Sequence, residues 1–397
     1  MQCTKCGQSY SKSDILTVCS RCGGALFYRF NLEEISDKFP RHIFEERKDT
    51  FWKFSEFLPL SSKENIVSLG EPYTPILSLS QSHETCFKNV FVKDDGRLPT
   101  GTFKSRGMAV AVSVLKEKGV SQVSIPSAGN AAAALTAYGA KAGMEVHAFM
   151  PADVPENILK ECIFGGAAVY LVNGLITEAA EIAKKLGKEK GWFDLSTNKQ
   201  PYRFEGYKAG AFEIAEQFNW DLPEIILFPT GGGEGIIGLW KGFKELVDLH
   251  WTRKMPRLVV VQSSGCAPIV EAFERKQTEV KDRWKNPETI ADGLRVPMPF
   301  ASYLILQALK ETKGLAMAVD DDEILSSIKV FLKEGIYAGP EASSTLAALK
   351  KLSRQGSFNA DDRILLYITG TTMKSFELLE IEKEKLPVLT KESAISD

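Results

Sequence analysis

An α/β fold with parallel sheets covered on both faces is what this sequence predicts, on three observations. Short apolar runs, Gln122 to Ile125, Glu145 to Met150, Ala167 to Val172, Glu224 to Phe228, Leu258 to Gln262 and Arg363 to Ile368, are bounded by Gly, Pro or Asn and read as strands. Helical periods lie between them, such as Ile176, Ala179, Ala180 and Ala183, and strands alternating with helices build sheets buried on both sides. The chain of 397 residues, 44% of them apolar, is long enough for more than one domain with well-filled cores. Ligands in such sheets bind at the carboxyl ends of strands, so the loops that follow strands hold the functional candidates.

Composition removes several function classes. Lys and Arg total 49 against 51 Asp and Glu, so no basic surplus argues for nucleic acid, and the charges are interspersed without long blocks. No apolar run is long enough to cross a bilayer, and Met1 is followed by Gln2 and Cys3 in place of a charged and then apolar leader; a cytoplasmic protein with no membrane contact is expected. His42, His83, His147 and His250 are scattered, which disfavours a His-based zinc hydrolase site or a Ser-His-Asp triad.

Taken in order, the chain opens with Cys3-Thr4-Lys5-Cys6-Gly7 and Cys19-Ser20-Arg21-Cys22-Gly23. Two Cys-x-x-Cys turns, each followed by glycine, suit a tetrahedral Zn²⁺ held by Cys3, Cys6, Cys19 and Cys22; with four protein ligands the site would be structural. Disulfides or a knuckle without metal are the alternatives. Cys86, Cys162 and Cys266 are isolated and expected as buried free thiols. Ala25 to Phe30 reads as a strand, and the stretch through Phe51, Trp52, Phe54 and Phe57 as an aromatic arm packing on the body.

The stretch Lys93 to Gly107 is the centre of the chain's organisation. Pro99, Thr100 and Gly101 make a turn, and Met108, Ala111, Val112 and Leu115 recur at helical spacing, so Lys104 sits where a loop enters a helix. Partial desolvation beside Phe103 would lower its pKa, as reaction with a carbonyl requires; an exposed surface lysine is the alternative. Ser127, Ala128, Gly129 and Asn130 follow a strand and open a helix, where backbone N–H groups suit a carboxylate or serve as a plain N-cap. Gly231, Gly232, Gly233, Glu234 and Gly235 follow another strand, and amides of such a loop can curl around a phosphate or form an ordinary turn. The loop matches neither a P-loop nor a dinucleotide fingerprint. Arg203 and Lys208 lie in Asn198 to Lys208, either as anion ligands or as a solvated basic helix start.

Pro99-Thr100-Gly101-Thr102-Phe103-Lys104-Ser105-Arg106-Gly107 closely resembles the cofactor-lysine segment of the fold-type II pyridoxal phosphate enzymes, the group of threonine synthases and serine/threonine dehydratases. Ser127-Ala128-Gly129-Asn130 resembles the family's Ser-Thr-Gly-Asn loop with alanine for threonine, the Gly231 to Gly235 run its phosphate cup, and Thr369-Gly370-Thr371-Thr372-Met373-Lys374 its closing segment. The resemblance implies that Lys104 carries pyridoxal phosphate beside Phe103, that the Gly231 to Gly235 loop holds the cofactor phosphate, and that Asn130 bonds its phenolic oxygen. It also implies that the hydroxyl of Thr369 faces the ring nitrogen. By the same resemblance Ser127 to Asn130 bind the substrate carboxylate, Arg203 with help from Lys208 binds a substrate phosphate, and Glu341 and Ser343 lie near the cofactor.

The resemblance also implies two parallel-sheet, three-layer domains behind a zinc-ribbon-like extension. It divides the chain into a knuckle at 1–30, an arm and approach at 31–100, a small α/β domain at 101–200, a large cofactor-binding domain at 201–380 and a tail at 381–397. The Arg203 segment leans toward threonine synthase, making threonine and phosphate from O-phosphohomoserine and water, and the resemblance alone implies a homodimer. The glycine run and Thr289-Ile290-Ala291-Asp292-Gly293-Leu294 lean toward a threonine or serine dehydratase or a β-replacement enzyme. A binding protein that kept the fold is the rival from another class.

Overall fold

The computed structural model describes residues 1–80, 85–383 and 386–388; His83 and most of the predicted tail lie outside the described residues. At the N-terminus β1 (Gln2–Cys3) pairs antiparallel with β2 (Leu26–Phe27). The strand expected from Ala25 to Phe30 is therefore only two residues long. Beyond it Tyr28 turns its ring toward Tyr202, with centroids 5.9 Å apart, and Phe30 covers the Lys208 ammonium at 3.9 Å. Burial of aromatic area displaces strand pairing there. α1 (Leu32–Lys38), α2 (Arg41–Glu45) and a 3-10 turn over Phe51–Phe57 form the arm, whose Phe44, Phe54 and Phe57 pack on Phe212 and Trp251 of the body.

After the arm come β3 (Ile76–Ser78), β4 (Asn89–Asp94) and α3 (Lys104–Glu117). The chain then alternates β5 (Gln122–Pro126), α4 (Asn130–Ala142), β6 (Glu145–Pro151), α5 (Glu156–Phe164), β7 (Ala168–Val172), α6 (Ile176–Lys190) and β8 (Phe193–Asp194), giving a parallel sheet of order β7-β6-β5-β8. α7 (Tyr202–Gln217), β9 (Ile225–Pro229), α8 (Glu234–Asp248), β10 (Arg257–Ser263), α9 (Pro268–Glu274), α10 (Ser302–Glu311), β11 (Leu315–Val319), α11 (Asp321–Lys333), α12 (Pro340–Gln355) and β12 (Arg363–Ile368) complete the body. The second sheet has the order β11-β10-β9-β12-β4-β3, parallel except for β3.

The larger sheet thus takes two strands from the 31–100 segment, which is structural body and not only an approach to it. All six expected strands form, and β9 is buried along its whole length, as a central parallel strand should be. Among the described residues no helix is long and apolar enough to cross a membrane.

α3 and α7 cross closely. A Cβ on Gly206 would lie 2.1 Å from the Arg106 carbonyl oxygen, and one on Gly107 would lie 2.7 Å from the Tyr207 ring, so only glycine permits this approach. The crossing buries charges beneath the Lys104 loop. Arg106 pairs with Asp95 at 2.7 Å and Glu213 at 2.6 Å, Lys93 reaches Glu213 at 2.6 Å, and the Tyr367 hydroxyl donates to Asp95 at 2.7 Å. Two cations and two carboxylates balance, the condition under which buried charge is tolerated.

Candidate active site

The loops after β5, β6, β8, β9 and β12 converge on one cavity of about 390 Å³. It is lined by Phe103, Lys104, Ser127, Ala128, Gly129, Asn130, Gly231, Gly232, Gly233, Glu234, Gly235 and Thr369 among the residues singled out in the sequence. Lys104 is the first residue of α3 and half-buried. Its ammonium lies 4.4 Å from the Phe103 ring centroid, and among the described residues it has no ion-pair partner. Burial first, then the Arg203 positive charge, bring its amine down to about 8 against the opposing fields of Glu234 and Glu341.

The glycine loop faces the same space. Its carbonyls are turned away: the Asn198 side chain donates to Gly232 O at 2.6 Å and Gln262 to Thr230 O at 3.0 Å. Gly233 caps α8 at φ 81°, and the first-turn amides of that helix have no intrahelical acceptor. A Cβ on Gly231 would meet Gly293 O at 2.1 Å, and one on Gly235 the Phe103 ring at 2.7 Å, so side chains are sterically excluded from this cradle. Also lining the cavity, Asn130 Oδ1 and Thr102 Oγ1 are buried without a hydrogen-bond partner among the described residues, while Ser127 and Gly129 bond each other. An amine with lowered proton affinity, free helix-start amides and orphaned polar atoms around one space fit an aldehyde cofactor carrying a phosphate.

Two expected ligands are elsewhere. Arg203 is fully buried, 2.5 Å from Glu234 Oε2, and its guanidinium donates to Leu195 O at 2.9 Å and to the Tyr207 hydroxyl at 3.3 Å. Lys208 is paired with Glu205 at 2.7 Å and Glu245 at 2.9 Å, beside Lys241. Neither lines the cavity, because each is matched to a carboxylate on α7 or α8. Glu341 does line it and accepts from Gly293 N at 2.8 Å, whereas Ser343 is turned to Ala338 O.

Sequence reading assigned no site role to Thr102, Lys199, Asp292 or Arg295, all at the cavity wall. The 284–299 segment is held in place along the cavity: the Trp284 indole donates to Gly265 O at 2.8 Å, and Thr289 and Ile290 bond Asp321 at 2.7 and 2.9 Å. The signal for Lys199 was its place just after a strand, but β8 is too short to be read as one.

The four N-terminal thiols converge separately, with Cys3 Sγ 3.4 Å from Cys22 Sγ, Cys6 Sγ 3.6 Å from Cys19 Sγ, and all four within 4.8 Å. A ZnS₄ tetrahedron has edges of about 3.8 Å, so the cluster fits that ion. Gly7 and Gly23, both at φ 72°, close the two knuckles, and the Tyr10 hydroxyl lies 3.0 Å from Cys19 Sγ. Of the isolated cysteines, Cys162 and Cys266 are buried as expected, but Cys86 is exposed.

Comparison with known proteins agrees with this chemistry. Residues 67–370 match the family described as pyridoxal-phosphate dependent enzyme. A threonine synthase of Methanocaldococcus jannaschii is 37% identical over 376 residues, covering 94% of this chain and 92% of the relative. One of Methanosarcina acetivorans is 33% identical over 378 residues, covering 94% and 92%. Maize serine racemase shares the fold with a TM-score of 0.67 at 20% identity, over 77% of this chain and 90% of that one. Diaminopropionate ammonia lyase from Escherichia coli does so at 0.68 and 18%, over 83% and 94%. The chain belongs to the pyridoxal-phosphate dependent enzymes, and within them to the threonine synthases.

Proposed function

We propose that the chain converts O-phosphohomoserine and water to threonine and phosphate. The observation that carries this reading is the amine of Lys104, without an ion-pair partner among the described residues and lowered to about 8, sharing a cavity with the amides of the Gly231 to Gly235 loop. Pyridoxal phosphate, held by Lys104 and that loop, supplies the electron sink that lets protons leave carbon. In the overall change the Cγ–O bond breaks and phosphate leaves with its electron pair. The oxygen of water bonds Cβ, a proton moves from Cβ to Cγ, and Cγ becomes the methyl group.

The chain's own residues account for binding and proton movement. The Lys104 amine takes and returns protons at the substrate's α, β and γ carbons, which an amine ionising near 8 can do in both directions near neutrality. Amides at the start of α4, with Ser127 and Asn130, receive the substrate carboxylate. The Thr369 hydroxyl, buried at the cavity wall, offers the cofactor ring a neutral partner, which favours local proton shuttling over a strongly protonated ring.

Purified holoenzyme given O-phosphohomoserine is expected to release threonine and inorganic phosphate in equal amounts; phosphate without threonine, or neither, rejects the reaction. The buried Arg203–Glu234 pair favours a second reading, a dehydratase acting on unphosphorylated threonine or serine, for which an oxoacid and ammonia would appear from threonine instead. The unbridged four-thiol cluster supports a reducing, cytoplasmic setting. A homodimer rests on the family resemblance, and light scattering of the purified protein tests it.

A further inference from the structure

The proposed reaction brings two phosphate groups into one cavity, and the inference drawn here rests on that reaction. The glycine-loop amides suit the cofactor's phosphate, which leaves the substrate's phosphate to be matched. Arg203 is poorly placed for it, since an anion reaching that guanidinium would also meet Glu234, 2.5 Å from it. The other cations lining the cavity differ in what they are already bound to. Lys104 belongs to the cofactor. Lys374 is held by Glu161 at 2.8 Å, and Arg295 lies 3.5 Å from Asp153 and 3.9 Å from Asp292.

Lys199 is different. Among the described residues it has no carboxylate in ion-pair range, and its ammonium lies 5.6 Å from the ring centroid of Phe300, which also lines the cavity. Its backbone is fixed beside the cofactor cradle: the preceding Asn198 is held at φ 63°, gives its N–H to Glu234 at 2.9 Å and its side-chain amide to Gly232 O at 2.6 Å. A half-buried ammonium with no carboxylate partner among the described residues is, of the cavity's cations apart from Lys104, the one an incoming dianion can pair with without displacing a carboxylate.

We propose that Lys199, and not Arg203, receives the phosphate monoester of the substrate and stays with the anion as it departs. Arg203 and Glu234 instead form a neutral strut under the glycine loop. The test uses holoenzyme and two readouts, the kinetics with O-phosphohomoserine and a calorimetric titration with inorganic phosphate. Lys199→Ala is expected to raise KM by about tenfold or more with a smaller change in kcat, and to weaken inorganic phosphate by a similar factor. Lys199→Arg should restore most of both, and the absorbance of bound cofactor should be unchanged in either variant. The paired variant Arg203→Met with Glu234→Gln should bind inorganic phosphate within about twofold of the native enzyme, the change expected where no phosphate contact is lost.

Phosphate binding by Lys199→Ala within about twofold of native would overturn the proposal, as would loss of cofactor in step with loss of phosphate, which would assign the lysine to the cofactor. Weak phosphate binding by a folded Arg203/Glu234 pair variant would return the role to Arg203. If native holoenzyme ignores O-phosphohomoserine the proposed reaction fails, yet the inorganic phosphate titration still decides the role of Lys199.

Discussion

The Lys104 amine is lowered to about 8 from its ordinary 10.5 mainly by burial, so the sign of its pH effects is fixed. In the apoprotein the folded state carries fewer protons than the unfolded state between those two values, and stability should rise with pH across that window. Below about 8 the cost of the buried ammonium is present in full. Cofactor uptake by apoprotein, followed by absorbance, should therefore quicken up to about pH 8 and then level off, and a profile still climbing past pH 10 would contradict the lowered value. Arg203 gives a second expectation at this scale. Arg203→Met alone leaves the Glu234 carboxylate buried without its cation and should cost about 3–5 kcal/mol in denaturant unfolding, largely recovered when Glu234→Gln is added. That pairing was not legible in the sequence, because Arg203 and Glu234 lie on different helices and a resemblance by motif carries a role without its neighbours.

At the scale of elements, the α3–α7 crossing decides where the reactive amine points. Gly206→Ala would push its methyl into the Arg106 carbonyl, two residues beyond Lys104, and overpacking of that kind costs about 1–3 kcal/mol. Thermal melting should show the loss, and kcat should fall as well since α3 must shift; a variant with native melting and native kcat would mean that the crossing is slack. Elements with uniform patterns were readable: the six predicted strands are apolar and bounded by turn residues, and all but the largely exposed edge strand β7 are buried. Those missed each break the pattern for a physical reason. β4 ends in the buried Lys93 and Asp94, β11 is a half-buried edge strand following a glycine with two alanines among its five residues, and β8 has two residues. The last omission mattered most, since the loop after it carries Asn198 and Lys199.

For the whole molecule, the N-terminal ribbon is joined to the catalytic body by polar as well as apolar contacts. Thr4 Oγ1 lies 2.6 Å from the Tyr303 hydroxyl, which also accepts from Ala25 N at 3.1 Å, and Lys5 pairs with Glu279 at 3.2 Å. Glu279 and Tyr303 flank the 284–299 segment that lines the cavity, so the ribbon grips both ends of one wall. If the four thiols hold zinc, a strong chelator should lower the melting temperature and raise KM for the amino-acid substrate, with recovery on adding the ion back. An unchanged KM after verified metal loss would separate the ribbon from the site.

Phe30 gives the first thirty residues a further meaning. Its ring covers Lys208 at 3.9 Å and Lys241 at 5.1 Å, while Phe27 packs on Phe204 and Trp240. Those aromatic rings roof the quartet of Lys208, Lys241, Glu205 and Glu245. A shortened chain lacking them would admit water among four charges that the rest of the protein is built to keep dry, so the ribbon is a keystone of this fold and not an ornament to be trimmed.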